Sequence, residues 1–267
     1  MLIFLKLVLI FSVAHAKCEF KKDTKSVVSL SGPITVVLKE LGLLKHKKLK
    51  GISIFNPVSQ NDFEGKIYPG GVFLSQSSLQ ELKENVVFFD ESREMDRNFK
   101  SLGNITAREI KTRNLLPLEV LDLSLHSLQD LLSGCEKKIS EMKDKAVSFQ
   151  KEILKKFPHS YSVIFYLGEL RGKRFPEMIM ANDGVVKLLR QKSKLTTYPS
   201  ELAYVNWSSK MMKELPDSTL HIGLKDSGMD MVKKIKRSSK RMTFIYPGVL
   251  VPGYSQLEAF HHLVQNL

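Results

Sequence analysis

The chain has 267 residues, 43% of them hydrophobic, and its 41 Lys and Arg against 28 Asp and Glu give a formal charge of +13. That length admits one large domain or two small ones, each able to bury a core. The positive charge is spread through lysine-rich segments without a glycine-aromatic RNA-binding pattern or a zinc-finger spacing, so the common nucleic-acid modules are excluded and a basic exterior is expected.

Lys6 is the only charged side chain ahead of an apolar run, Leu7 to Val13, which closes on Ala14-His15-Ala16. A charged start, a short apolar core and an A-x-A ending predict a signal peptide over residues 1–16, cleaved near Ala16. The run falls short of the roughly 20 residues of a spanning helix. Cys18 lies out of register for lipoprotein processing. The expected product is a soluble, monomeric protein, periplasmic or secreted, starting at Lys17. Its two cysteines, Cys18 and Cys135, are a disulfide candidate in an oxidising compartment, with two unpaired thiols as the alternative.

After Lys17 the chain alternates between strand-like and helix-like segments. Ser26 to Leu30 is a β-rich run followed by the turn Ser31-Gly32-Pro33. Ile34, Val37, Leu38 and Leu41 then recur at helical spacing up to Gly42. Gly51 to Phe55 reads as a second strand halted by Asn56-Pro57. Next come a glycine-rich loop, Gly65 to Gly71, and a helix over Leu74 to Leu82. Val86 to Phe89 is a third strand, apolar throughout as a buried parallel strand should be, and Leu118 to Leu123 reads as a fourth.

A different pattern follows. Cys135, Ile139, Met142, Ala146, Phe149, Ile153 and Phe157 step by three or four residues, interleaved with lysines. This spacing predicts one amphipathic helix of about six turns, roughly 35 Å long, stopped by Pro158. Beyond it Tyr161 to Leu167 reads as a strand and Met178 to Leu189 as partly helical. Ser208 to Leu215 and Met229 to Lys236 are expected helices, Thr219 to Leu224 and Met242 to Tyr246 strands, and Ser255 to Leu267 a closing helix. The fold class is therefore α/β: two small lobes with mainly parallel sheets joined by one long helix. The boundaries are 17–132 for the first lobe, 133–158 for the linking helix and 159–267 for the second lobe.

This order of elements resembles the periplasmic substrate-binding proteins of the cobalamin, haem and siderophore ABC importers. The segments that carry the likeness are Val27-Val28-Ser29-Leu30-Ser31-Gly32-Pro33-Ile34-Thr35, Leu41-Gly42-Leu43 with Lys50-Gly51-Ile52-Ser53, and Pro252-Gly253-Tyr254-Ser255. The resemblance implies a small-molecule or metal-chelate ligand held between the lobes and an ABC permease as partner. Members that dock on a permease show a glutamate on each lobe. The corresponding stretches here, Phe73-Leu74-Ser75-Gln76 and Ser208-Ser209-Lys210-Met211, contain no carboxylate.

In open α/β sheets ligands sit beyond the carboxyl ends of the strands. The candidate ligand-binding residues are accordingly Ser31, Phe55, Asn56, Phe89 with its neighbour Asp90, and Tyr68 of the glycine-rich loop. Tyr166, Arg171, Tyr246 and Tyr254 are the candidates from the second half. Aromatic side chains offer broad faces to a planar ligand, and arginine pairs with its carboxylates; for the strand-end aromatics a plain core role is the alternative. The histidines share no strand end with a carboxylate, so no metal site and no cofactor are expected. No G-x-S-x-G elbow, H-E-x-x-H or P-loop is present, which argues against an enzyme.

Overall fold

A computed structural model describes residues 17–54, 58, 62–68, 74–82, 85–91, 99, 105–157, 162–168, 178–180, 184–191, 196–197, 204–206, 219–224 and 242–267. The expected leader and the helices expected over 208–215 and 229–236 lie outside these residues. Among those described, no helix is long and apolar enough to cross a membrane.

The first sheet is built on the short apolar runs. Strands β2 (Ser26–Ser29), β3 (Leu49–Ser53), β4 (Lys66–Tyr68), β5 (Asn85–Asp90) and β6 (Thr106–Ile110) lie in the order β4-β3-β2-β5-β6. All neighbours are parallel. Successive side chains along a strand point to opposite faces. Val27, Val86 and Phe88 thus join the main core, while Val28, Val87 and Phe89 join a smaller one with Tyr68, Leu82 and Phe99. Burial on both faces is why these strands read as continuous apolar runs.

Two segments of this half differ from the sequence expectation. Leu118 to Leu123 is not a strand but part of helix α3 (Pro117–Leu128). Pro117 supplies the fixed φ of a first helical turn, and Glu119 reaches back to accept the Leu116 amide at 2.6 Å. Val120, Leu121, Leu125 and Leu128 then form one buried stripe at helical spacing. The strand that follows β5 in the sheet is instead β6, whose sequence TAREI is polar and mostly half-exposed because it runs along the sheet edge. Within the expected glycine-rich loop, Lys66–Tyr68 forms the other edge strand, β4.

Helix α1 (Gly32–Glu40) follows β2, α2 (Gln76–Glu81) precedes β5, and α4 (Glu136–Lys156) is the long helix. One stripe of α4 is buried, Met142, Ala146, Phe149 and Ile153, and its lysines face outward. The closing helix α6 (Tyr254–Gln265) lies along α4 and also touches α1 and α3. His261 of α6 stacks on Phe149, with ring centroids 4.4 Å apart. Glu152 Oε2 accepts from Gln265 Nε2 at 2.6 Å and lies 3.2 Å from His261 Nε2.

The second sheet takes β8 (Ser162–Gly168), β9 (Met178–Met180), β10 (Thr196–Thr197), β11 (Tyr204–Asn206), β12 (Leu220–Leu224) and β13 (Met242–Ile245) in the order β11-β9-β8-β12-β13, with β10 also on β8. β10, β8, β12 and β13 are parallel, whereas β9 runs antiparallel to both of its neighbours, β8 and β11. Met178 to Leu189 accordingly divides: the first three residues are strand β9, and only Gly184–Arg190 is helix, α5.

Cys18 and Cys135 form a disulfide across 117 positions of sequence. It sits beside a two-strand ribbon, β1 (Glu19–Phe20) against β7 (Leu132–Ser133), and fixes the start of the described chain to the residue that precedes α4. Closing a loop of this length removes entropy from the unfolded chain worth roughly 5 kcal/mol. Replacing both cysteines by serine is expected to lower the unfolding free energy by about 3–5 kcal/mol, read as a lower urea midpoint. An unchanged midpoint would show that the β1–β7 ribbon holds this end without the bond.

Candidate functional site

The connection from β2 leads to β3 on one side, while the chain returns through β5 on the other. At such a switch point of a parallel sheet the neighbouring loops diverge, so a crevice is expected at the carboxyl ends of β2 and β5, the usual ligand position. Ser31 and Gly32 leave β2 at this point, and Asp90 ends β5.

These residues are joined in an uncommon way. Ser31 precedes α1 but gives its amides no side-chain cap. The Gly32 amide donates instead to Asp90 Oδ2 at 3.2 Å, so a carboxylate from another strand satisfies the positive end of the helix. Ser31 is fully buried, and its Oγ makes no hydrogen bond of ordinary geometry. Its carbonyl accepts from Ser29 Oγ at 3.0 Å and Thr35 Oγ1 at 2.9 Å, which holds the turn in place. Asp90 is exposed as a residue, yet its carboxyl end is crowded by protein. This desolvation pushes its pKa up, against the opposing pull of the Ser31 hydroxyl and the Gly32 amide.

Tyr68 ends β4 and is 4% exposed. Its ring lies on the backbone of Gly51, where an added Cβ would stand 2.3 Å from a ring carbon. Burial raises the phenol pKa, so the hydroxyl stays protonated. Phe89 is equally buried and meets Phe99 with centroids 4.9 Å apart. Tyr68 and Phe89 thus belong to one small core beneath the strand ends. Tyr254 begins α6 and is 2% exposed, packed in the helical layer 6.0 Å from the ring of Phe149. Its helix starts after Gly253 at φ +95°, a conformation that favours glycine.

In the second half, Tyr246 follows β13 and is 47% exposed, edge-on to His262 at 5.8 Å. Tyr166 lies on β8 opposite Gly223 of β12. Phe55, Asn56 and Arg171 fall outside the described residues. The structure therefore brings Ser31 to Asp90 and Tyr68 to Phe89, and sets Tyr254 apart among the helices. The Asp90–Gly32 bond carries no local sequence signal, because its partners are 58 positions apart. Among the described residues, no group of three or more His, Cys, Asp or Glu could hold a metal ion.

No protein-family model matches the chain, and no curated protein is similar to it in sequence. Solved structures do match. The periplasmic haem-binding protein RhuT from Roseiflexus sp. RS-1, in its apo form, superposes with a TM-score of 0.66 at 15% identity, covering 91% of this chain and 97% of that one. The periplasmic haem-binding protein HutB of Vibrio cholerae gives a TM-score of 0.63 at 17% identity, over 90% and 98% of the two chains. A possible iron-binding periplasmic solute-binding protein from Staphylococcus epidermidis gives 0.61 at 18% identity, over 91% and 98%. The chain has the fold of the two-lobed periplasmic binding proteins. In this binding-protein fold the crevice at Ser31, Gly32 and Asp90 belongs to the first lobe.

Two measurements test the site. Gly51→Ala is expected to displace Tyr68 and to destabilise the protein by about 1–3 kcal/mol, the usual cost of overpacking, read by denaturant unfolding. An unchanged midpoint would mean that the ring yields at no cost. Asp90→Asn keeps an oxygen for the Gly32 amide and removes the titration. A carboxyl whose pKa is raised by folding favours the folded state below its unfolded pKa, near pH 4, and disfavours it as pH rises through the folded value. The variant should therefore melt higher than the parent at pH 7 and lose that advantage below about pH 4. A difference independent of pH would exclude desolvation of this carboxylate as the cause.

Proposed function

We propose that the chain is an exported solute-binding protein that captures a bulky ligand of the haem, corrinoid or ferric-siderophore class between its lobes. The observation that carries this reading is the superposition on haem-binding and solute-binding proteins over nine-tenths of the chain. The lobes are assigned to 17–132 and 159–267, linked by 133–158, with residues 1–16 removed on export to the periplasm. Helix α4 carries a continuous buried stripe with the closing helix along it, which limits how far the lobes can swing. Capture thus relies on preformed surfaces more than on closure.

Within the cleft, exposed Tyr246 offers an aromatic face and Arg171 a bidentate partner for a ligand carboxylate. Ser31 Oγ, buried and without a hydrogen bond of ordinary geometry, is the polar group the first lobe contributes. Delivery to an ABC permease is the first reading of the protein's role. The second is a stand-alone scavenger or sensor, favoured by the lack of a carboxylate in 73–76 and 208–211. Catalysis forms no part of either.

Titration with haem is expected to give a saturable Soret change, quenching of Trp207 and a concentration-dependent rise in melting temperature. A ligand bound only by the folded state stabilises it by about 2.7 kcal/mol at a hundred times its Kd. Arg171→Ala and Tyr246→Ala should each weaken binding by about tenfold, or ~1.4 kcal/mol. Silence towards haem, cobalamin and a panel of ferric siderophores would overturn ligand capture. A permease recovered with the protein would overturn the scavenger reading.

A further inference from the structure

The two halves of the chain meet at a second place besides the packing of α6 on α4. Helix α5 (Gly184–Arg190) lies between β9 and β10 in sequence, so it belongs with the second sheet. It nevertheless packs on α3, which follows β6 of the first sheet. Val185, Val186, Leu188 and Leu189 are at most 2% exposed and lie in the main core. Leu116 and Leu118, at the start of α3, pack against the same core.

The first turn of α5 is fitted closely to the turn that precedes α3. A Cβ at Gly184 would stand 2.4 Å from the Leu115 carbonyl oxygen and 3.7 Å from Pro117 Cδ. Only glycine admits so close an approach of backbone to backbone. Lys187 Nζ donates to Asn114 Oδ1 at 2.7 Å, and the Leu115 amide closes its own turn on the Thr112 carbonyl at 3.2 Å. Asn114 has φ +66°, the one positive value among the described non-glycine residues. A residue stays in that conformation where its surroundings over-determine it, and such residues gather at clamps and switches.

The same turn borders the expected crevice. Ile110, which ends β6, lies in register with Asp90, and the Glu91 amide donates to the Ile110 carbonyl at 3.2 Å. Arg113 Nε stands 3.9 Å from Glu91 Oε2. From Ile110 the chain reaches Asn114 and Leu115 within a few residues. We propose that the seat of Gly184 and Lys187 on Leu115 and Asn114 is an inter-lobe latch, which fixes the opening of the cleft at the rim beside Asp90. Two bodies joined at one place pivot about it, whereas a second tie removes that freedom. The latch rests on the two-lobed fold alone and holds for any ligand, so silence in the haem titration leaves it standing.

The test is the distance between nitroxide labels on Lys50→Cys of the first half and Gln191→Cys of the second, both exposed, read by pulsed electron spin resonance on the full chain. Lys50→Cys with Lys111→Cys, also exposed, is the reference pair within the first half. Both native cysteines are taken up in the disulfide and do not compete for label. Gly184→Val is expected to shift or broaden the Lys50–Gln191 distance by more than about 2 Å, the scale of a domain rearrangement. Asn114→Gly with Lys187→Met, which removes only the polar contact, should move it in the same sense by less, with the reference pair unchanged. The radius of gyration from small-angle scattering should rise with it. An unchanged Lys50–Gln191 distance in the folded variants would overturn the latch. So would equal broadening of the reference pair, which would place the loosening inside the first half. A label shift at constant radius would mean that α5 detaches alone, and would overturn it as well. Should Gly184→Val fail to fold, the polar double variant decides by the same readings.

Discussion

The buried stripe of the long helix is the constraint on which the rest of the architecture depends. Met142, Ala146, Phe149 and Ile153 need apolar cover along four turns. The closing helix supplies it with Tyr254, Leu257, Phe260 and Leu263, all buried. This helix comes last in sequence, directly after the second sheet, yet packs on α1 and α3 of the first half as well as on α4. The main core is therefore continuous from Val27 and Ile34 through Phe149 to Ile222 and Ile245. Packing density of that kind is felt by any change of volume. Helix α4 is thus a structural wall for both sheets, and the disulfide at Cys135 ties the first strand ribbon to the same wall.

The crevice shows how a helix terminus can be served from outside its own sequence. Ser31 stands where a capping serine is common, but its buried hydroxyl makes no hydrogen bond of ordinary geometry while Asp90 takes the Gly32 amide. A buried hydroxyl left unmatched costs free energy, and a crowded carboxylate costs more as it ionises. Both costs fall at the same strand ends. Such local expense is tolerated where the surrounding packing over-determines the backbone, and it concentrates at binding sites. The Ser29 and Thr35 hydroxyls on the Ser31 carbonyl supply that over-determination here.

Much of the fold was legible because its strongest elements obey one period. The long helix, the first strands and the closing helix each carry an uninterrupted apolar pattern, and their placement in chain order marks the α/β class. What failed was short or polar. Leu118 to Leu123 is a short, mostly apolar run that reads as a strand over six residues, and only Pro117 and the bond from Glu119 back to Leu116 mark a helix start. Edge strands β4 and β6 lack the signal because one side of each meets no partner strand and its residues stay half-exposed. For the site, strand-end logic singled out Ser31 and Asp90, which lie together at the ends of β2 and β5. It could not tell an aromatic that lines a cleft from one that fills a core. Tyr68 is set in the core by the missing side chain at Gly51, and that packing is a tertiary fact, invisible to a pattern of neighbours.

Parallel strands also separate chemistry along the molecule. At their carboxyl ends the first lobe offers an acid, a buried hydroxyl and the edge of an aromatic core; at their amino ends it offers lysines. At the Asp90 crevice the nearest helix amide is already engaged by the protein's own carboxylate. The net charge of +13 thus says little about the ligand, because nearly half of it sits at the far pole of the first sheet. Charge that would steer a small anion has to lie within about a Debye length of the cleft, roughly 8 Å at physiological salt. The lysine pole lies a full strand away, beyond that range.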